Sequence, residues 1–413
     1  MLHSPLQLPC FVGPPPGATP DEADAHWMRL AVWLARRAEG LTRPNPAVGA
    51  VIVGSDGRCI GFGTHRRAGT PHAEIHALRR AGDRARSSTL YVTLEPCSTT
   101  GRTPPCVRAI LAAGVRRVVI GTLDPNPKHA GRAVPILREA GIRVDGPCEG
   151  DACRDLLQPF ATVMTHGRPF FRLKLGMTLD ARLADSSGTS QWITSPSSRE
   201  AVQNLRRRSD AILVGAGTLR ADNPSLLPRP SRGRQPWRVI CARVTDLPLS
   251  AQVFTDAAAA RTIVAAPAGW HPETAAALRA RGVTVLELPA DEPGFFRSLA
   301  EELKERGILS VLCEGGAHLA GALLRNDLID ELHLFVAPLV LGAGALPLFA
   351  GLDLPLAKAA RFQILSATPI PPDLHVVAQR GSAPVASPSI AVECSRMQSI
   401  AVENDKRAPV EPC

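Results

Sequence analysis

The sequence predicts two consecutive α/β domains, and three observations carry that prediction. Strand-like apolar runs alternate with helix-period patterns along most of the chain. At roughly 150 residues per domain, 413 residues make two to three units. A composition of 45% hydrophobic and 21% charged residues is that of a soluble globular protein, not of a disordered or fibrous one. Aromatics are only 4%, so the cores must be built from Leu, Val, Ile and Ala.

Taken in order, residues 1–22 are rich in Pro and Gly and read as a flexible extension. A helix begins near Asp24, because Trp27, Leu30, Ala31, Leu34 and Ala38 recur at helical spacing, and Gly40 ends it. Strands follow at 47–53 and 59–63 around the turn Ser55-Asp56-Gly57. Then come a helix (72–81), a strand (89–94), a helix (105–113) stopped by Gly114, a strand (116–121), a helix (134–140) and a strand (142–145). This alternation over 23–146 implies a three-layer domain. Residues 147–167 form a linker with a helix over 152–164. The second domain, 168–380, opens on a strand at 170–176 and continues with strands at 211–214, 238–241, 262–265, 283–287, 309–313 and 331–336. The uncharged stretch 332–352 is long enough for a membrane span, but Pro338, Gly342, Gly344, Pro347 and Gly351 interrupt it, so a buried strand leading into a loop is the reading. Residues 381–413 read as a disordered tail containing the short repeat Ser389–Glu393 and Ser399–Glu403.

A net charge of +9 favours anionic partners. The basic residues are scattered, with Arg206-Arg207-Arg208 the densest cluster and no basic stripe interleaved with aromatics. Small phosphorylated ligands fit this pattern better than nucleic acid. The N-terminus lacks a basic segment followed by an apolar one, and a chain this long does not need a disulfide scaffold. A cytoplasmic protein with reduced thiols is expected.

One motif carries chemistry outright. Pro71-His72-Ala73-Glu74 is followed by Glu95-Pro96-Cys97 and Pro105-Cys106. One imidazole and two thiolates suit tetrahedral zinc with a fourth position open to water. His72 opens a helix, Cys97 follows a strand and Cys106 opens the next helix, where the helix N-terminus favours both thiolates. Glu74 is then the general acid/base. His76, one turn beyond His72, reads as packing rather than as a fourth ligand.

The second domain lacks a dinucleotide fingerprint, since Gly215-Ala216-Gly217-Thr218-Leu219-Arg220 has no third glycine. Glu314-Gly315-Gly316, between a strand and a helix, is the better phosphate cradle.

These residues, with Pro44-Asn45-Pro46-Ala47-Val48-Gly49, Gly101–Cys106, Asp124-Pro125-Asn126-Pro127, Lys174-Leu175-Gly176, Gly188–Thr194 and Gly215–Pro224, resemble the bifunctional riboflavin-biosynthesis deaminase–reductases. The resemblance covers about residues 23 to 380. It implies a cytidine-deaminase-like first domain and a dihydrofolate-reductase-like second one. It further implies zinc and NADPH as cofactors, a small phosphorylated pyrimidine as substrate and a homo-oligomer formed through the reductase domain. By position, Asn45, Arg102, Asp124 and Asn126 would contact the deaminase substrate. Gly176, Trp192, Thr218, Asp222 and the run Gly316, Ala317, His318, Leu319, Ala320, Gly321 and Ala322 would contact NADPH. Ser190, Arg206, Leu226, Arg229 and Glu314 would hold the reductase substrate, with the two arginines suited to a ribose phosphate. Lys174 and Asp180 are the candidate proton donors.

The chain departs from the family in three places. Thr99-Thr100 stands where the family usually has His after Cys-Ser, Ala181 replaces a glycine after Leu179-Asp180, and Cys241-Ala242 replaces Asp-Ser. The first raises an alternative in which only the reductase works. A nucleic-acid-binding protein on a deaminase fold is the alternative from another class.

Overall fold

The computed structural model describes residues 13–230, 234–243 and 247–381. The tail, with its repeat, and the first part of the extension lie outside these residues. The first helix, α1 (Pro20–Arg36), starts inside the stretch read as extension. Thr19 caps it: its hydroxyl accepts from the Glu22 N–H while the Glu22 carboxylate accepts from the Thr19 N–H, and Pro20 sits where no N–H is needed.

The first half continues as β1 (Gly49–Val53), β2 (Cys59–Thr64), α2 (Ala73–Ala81), β3 (Thr89–Val92), α3 (Cys106–Ala112), β4 (Arg117–Ile120), α4 (Ala133–Glu139), β5 (Arg143–Asp145) and α5 (Gly150–His166). Its sheet runs β2-β1-β3-β4-β5, antiparallel around β1 and parallel from β3 to β5. Helices α2, α3 and α4 pack on one face through Ala77, Ile110 and Leu137. On the other, α1 contributes Trp27, Met28 and Leu30, and α5 contributes Cys153. The expected three layers are present, and the linker helix α5 is part of them.

The second half consists of β6 (Phe170–Thr178), β7 (Arg182–Ala184), α6 (Pro196–Arg208), β8 (Ala211–Gly215), α7 (Ala216–Asp222), β9 (Trp237–Cys241), α8 (Gln252–Thr255), β10 (Thr262–Pro267), α9 (Pro272–Ala280), β11 (Thr284–Leu288), α10 (Glu292–Glu305), β12 (Ser310–Cys313), α11 (Ala317–Arg325), β13 (Glu331–Ala337), β14 (Leu346–Pro347), β15 (Phe362–Ile370) and β16 (Asp373–Arg380). A nine-stranded sheet has the order β11-β10-β9-β8-β12-β6-β13-β16-β15. It is parallel from β11 to β13 and antiparallel over the last two strands. Helices α10 and α11 cover one face and α6 to α9 the other, as a parallel sheet buried on both sides requires. The uncharged 332–352 stretch is β13 leading into a loop, as expected, with the two-residue β14 as the one further strand in it.

The two halves meet closely. Arg43 reaches from the first half to Asp210 of the second: Nη1 donates to the Asp210 carbonyl at 2.6 Å and lies 3.5 Å from its carboxylate. Both side chains are almost inaccessible, at 1% and 5%. Burial pushes the Arg43 pKa down to about 10 and pushes the Asp210 carboxyl up, each opposed by the partner's charge. Asp210 also accepts from the N–H groups of Leu309 and Ser310 at the foot of β12. Beside this pair, Gly40 has φ +75°, and a Cβ there would come within 2.4 Å of the Arg207 carbonyl oxygen. A glycine is required by both conformation and contact.

Candidate active sites

The first site forms where α2, the loop after β3 and α3 converge. His72 is the extended N-cap of α2, Cys97 lies in the loop, and Cys106 is the first residue of α3. His72 Nδ1 is 3.5 Å from Cys97 Sγ and 3.3 Å from Cys106 Sγ. Tetrahedral zinc, with Zn–S of about 2.3 Å and Zn–N of about 2.0 Å, would hold nitrogen and sulfur about 3.5 Å apart, so the donors fit this metal. Among the described residues these three make the only such group of His, Cys and carboxylate donors. Thr103 Oγ1 lies 3.3 Å from the other ring nitrogen of His72 and orients the imidazole.

Cys97 is drawn down to about 4 by the hydrogen bond from the Cys106 thiol, whereas Cys106 is pushed up by that same bond and by burial. The opposite shifts come from placing two sulfurs side by side, and a metal cation between them would favour both thiolates. Glu74, in the first turn of α2, is 3% exposed. Burial raises its pKa against the pull of His72, which suits a group that must take up and release a proton.

Asn45 Nδ2 is 3.0 Å from His65 Nε2, and the His65 ring stands 5.1 Å from that of His72. Asp124 accepts from the Asn126 N–H, and Asn126 from the Lys128 N–H, so both side chains perform turn chemistry, and Asp124 also lies within electrostatic reach of Cys97. Arg102 is exposed on the 97–106 loop. His76 donates its backbone N–H to the His72 carbonyl and is no ligand. Glu95, which the motif contains without a role, is buried, and its carboxylate accepts from the N–H groups of Asp124, Gly131 and Ala133 at 2.8–3.1 Å. No spacing rule announces Glu95, Thr103 or His65, because they act on loops and rings rather than on a metal.

The second site is a cleft of about 1270 Å³ at the carboxyl ends of the second sheet's central strands. It is larger than the range of roughly 300–1,000 Å³ usual for one small ligand, and so has room for a dinucleotide beside a substrate. Gly176, Ser190, Trp192, Arg206, Thr218, Asp222, Leu226, Arg229, Glu314, Gly316, Ala317, His318, Leu319 and Ala322 all line it. Ala320 and Gly321 do not. Ala320 is in the core, and a Cβ on Gly321 would come within 2.1 Å of the Ala350 carbonyl oxygen, so this glycine is there to let two backbones touch. The cradle is also more engaged than its sequence implies, since the Gly316 N–H donates to Thr218 Oγ1.

Arg206 is not a solvated helix residue. Its guanidinium holds Glu314 with two bonds of 2.6 and 2.9 Å, so the fork assigned to a phosphate is already occupied by a carboxylate. Burial would raise the Glu314 pKa, but Arg206 and Lys174 hold it below the usual range. Lys174 lines the same wall, and burial pulls its pKa down against the charge of Glu314. Asp180, the other candidate donor, lies outside the cleft and does not serve as one. It accepts from Thr178 Oγ1 and from the N–H groups of Leu341 and Gly342, its pKa falls to about 2, and it does not line the cleft. A carboxylate so satisfied holds a turn and has no proton to give.

Residues 21–122 match the cytidine and deoxycytidylate deaminase zinc-binding region, and residues 169–376 match the RibD C-terminal domain. The chain belongs to the RibD family. It is 43% identical to riboflavin biosynthesis protein RibD of Aquifex aeolicus over 78% of this chain and 89% of that one. It is 42% identical to RibD of Escherichia coli over 86% and 99%. Among solved structures, Acinetobacter baumannii RibD superposes with a TM-score of 0.77 at 39% identity, covering 87% of this chain and 99% of that one. A Thermotoga maritima deaminase/reductase follows at 0.75 and 35%, with the same coverage. Zinc and NADPH are the cofactors that RibD chemistry uses.

Proposed function

We propose that this chain performs two consecutive steps of riboflavin biosynthesis. The first half hydrolytically deaminates 2,5-diamino-6-ribosylamino-4(3H)-pyrimidinone 5′-phosphate and releases ammonia. The second half reduces the ribosyl side chain with NADPH, giving 5-amino-6-(5-phosphoribitylamino)uracil. The observation that carries the reading is the His72–Cys97–Cys106 triangle with Glu74 buried against it, in one chain with a dinucleotide-sized cleft.

In the deaminase half, His72, Cys97 and Cys106 hold zinc, which supplies the Lewis acidity that makes water nucleophilic at neutral pH. Glu74 takes the proton from water and passes it to the ring nitrogen and then to the departing amine. Asn45, Arg102, Asp124 and Asn126 hold the substrate. In the reductase half, NADPH supplies the hydride. Gly176, Trp192, Thr218, Asp222 and the start of α11 bind the cofactor, with Ala320 and Gly321 serving as scaffold. Ser190, Leu226, Arg229 and the Arg206–Glu314 pair hold the substrate, and Lys174 is the group placed to move the accompanying proton. The intact triangle and Glu74 speak against a chain in which only the reductase works.

Self-association through the second half is part of the proposal. β15 ends the sheet and exposes Ile364 and Leu365, at 66% and 46%. A cytoplasmic address is supported by the described cysteines, none of which is in a disulfide. The test is metal analysis coupled to a two-stage assay, ammonia release first and NADPH oxidation second. Zinc at about one per chain with both activities supports the reading. Metal-free protein that still deaminates would overturn it.

A further inference from the structure

Two loops form the lip of the deaminase site. The 97–106 loop carries Thr99, Arg102 and Thr103 between the two cysteines, and the 124–133 loop carries Asp124, Asn126 and His129. Glu95 fixes the second loop from beneath through its three backbone hydrogen bonds. Within that loop the Asn126 carbonyl accepts from the N–H groups of His129 and Ala130, at 2.8 and 3.0 Å, closing a turn that presents the His129 ring. Nδ1 of that ring lies 3.4 Å from Thr99 Oγ1 on the facing loop. Thr99 follows Cys97 by two residues, so the loop that the His129 ring faces is the one that carries this ligand. The Asp124 carboxyl lies within electrostatic reach of both His129 and Cys97, which puts ring, carboxyl and ligand around one opening.

The opening is polarised. Glu74 and Cys106 are buried at its inner end, His72, Cys97 and His129 are half-buried, and Arg102 and Lys128 are exposed on the loops that form its rim. A substrate that presents its reacting ring carbon to the inner end directs its ribose phosphate toward the rim. There, with Nδ1 taking the Thr99 hydroxyl, the Nε2–H of the ring can donate to a phosphate or hydroxyl oxygen.

We infer that His129 is a substrate-binding residue of the deaminase half, holding the ribose-phosphate end and supplying from the facing loop the imidazole that position 99 lacks. The inference rests on the deaminase reading above. It is tested by steady-state ammonia release from the full-length zinc enzyme and its His129→Ala and Thr99→His/His129→Ala variants, with metal content and reductase turnover of the deaminated substrate measured alongside. In His129→Ala, KM for deamination rises at least about tenfold while kcat stays within about threefold, as expected for one lost hydrogen bond to a charged group. Zinc content and reductase turnover stay at wild-type level. Thr99→His in that background brings KM back toward the wild-type value. An unchanged KM in His129→Ala, loss of zinc with the activity, or a KM left high in the double variant each overturns the inference. A wild-type enzyme that oxidises NADPH yet releases no ammonia overturns the deaminase reading itself, and this inference with it.

Discussion

Glu74 is one methylene from Asp and one atom type from Gln, and the second difference is the one that matters chemically. Glu74→Gln keeps the side chain's shape and leaves all three ligands in place, so zinc stays bound. Deamination falls by about 10²–10⁴, because the proton carrier is gone. Metal analysis and ammonia release check this, with reduction of the deaminated substrate at wild-type rate as the internal control. Ala181 offers a different single-residue test. Its φ of 58° puts an L-residue in the left-handed region, where a Cβ costs roughly 1–2 kcal/mol. Ala181→Gly relieves that strain and gives back about 0.5–1 kcal/mol as unfolded-chain entropy. A net gain of up to about 1 kcal/mol is expected, read as a Tm raised by a few degrees. An unchanged or lower Tm would contradict the strain assignment. The zinc ligands and Glu74 were legible in the sequence because ligand chemistry restricts residue type and spacing together. His129 and Glu95 were not, since each works across a loop whose path only the folded chain reveals.

At the scale of elements, β6, β13 and β16 are joined by a polar chain inside the sheet. Arg172 pairs with Glu331 at 2.8 Å, Glu331 with His333 at 2.8 Å, and His333 with His375 at 3.1 Å. Burial alone would raise Glu331, but Arg172 and His333 bring it down to about 2, while burial and His333 bring His375 down to about 4. Both folded pKa values lie below their unfolded ones, so the unfolded chain binds more protons and stability is lost as the pH falls. The His375 contribution fades from about pH 6.5 to 4, and that of Glu331 from about 4.5 to 2. Urea unfolding at stepped pH should show the decline, and Glu331→Gln should flatten its lower part; a flat wild-type profile would rule the linkage out. The same region shows where element-level reading stopped. The central strands of the second half are continuous apolar runs buried on both faces, and they were legible. β15 reads FQILSATPI and is exposed along most of its length, so neither a buried run nor a clean alternation marks it. β7 and β14, of three and two residues, are too short to carry a pattern. The linker was recognised as helical, yet nothing in its sequence says that it belongs to the first half's outer layer.

For the whole molecule the decisive contact is Arg43 on Asp210. Removing one member of a buried pair leaves the other charge without compensation, which costs about 3–5 kcal/mol. Asp210→Ala should lose that much in urea unfolding, and Arg43→Met/Asp210→Asn, which removes both charges but keeps an oxygen for the Leu309 and Ser310 N–H groups, should recover most of it. Equal losses in the single and double variants would show the pair to be peripheral. Neither residue was singled out from the sequence, since a contact between segments 167 positions apart leaves no local trace. The pair also bears on whether the two enzymes can be made as separate polypeptides. A cut after α5 would leave the reductase fragment with a carboxylate built to meet a cation on another molecule, at the foot of its own central strand. Anyone dividing the gene would have to rewrite position 210 along with the cut, or expect the fragment to be soluble only while its former neighbour is co-expressed.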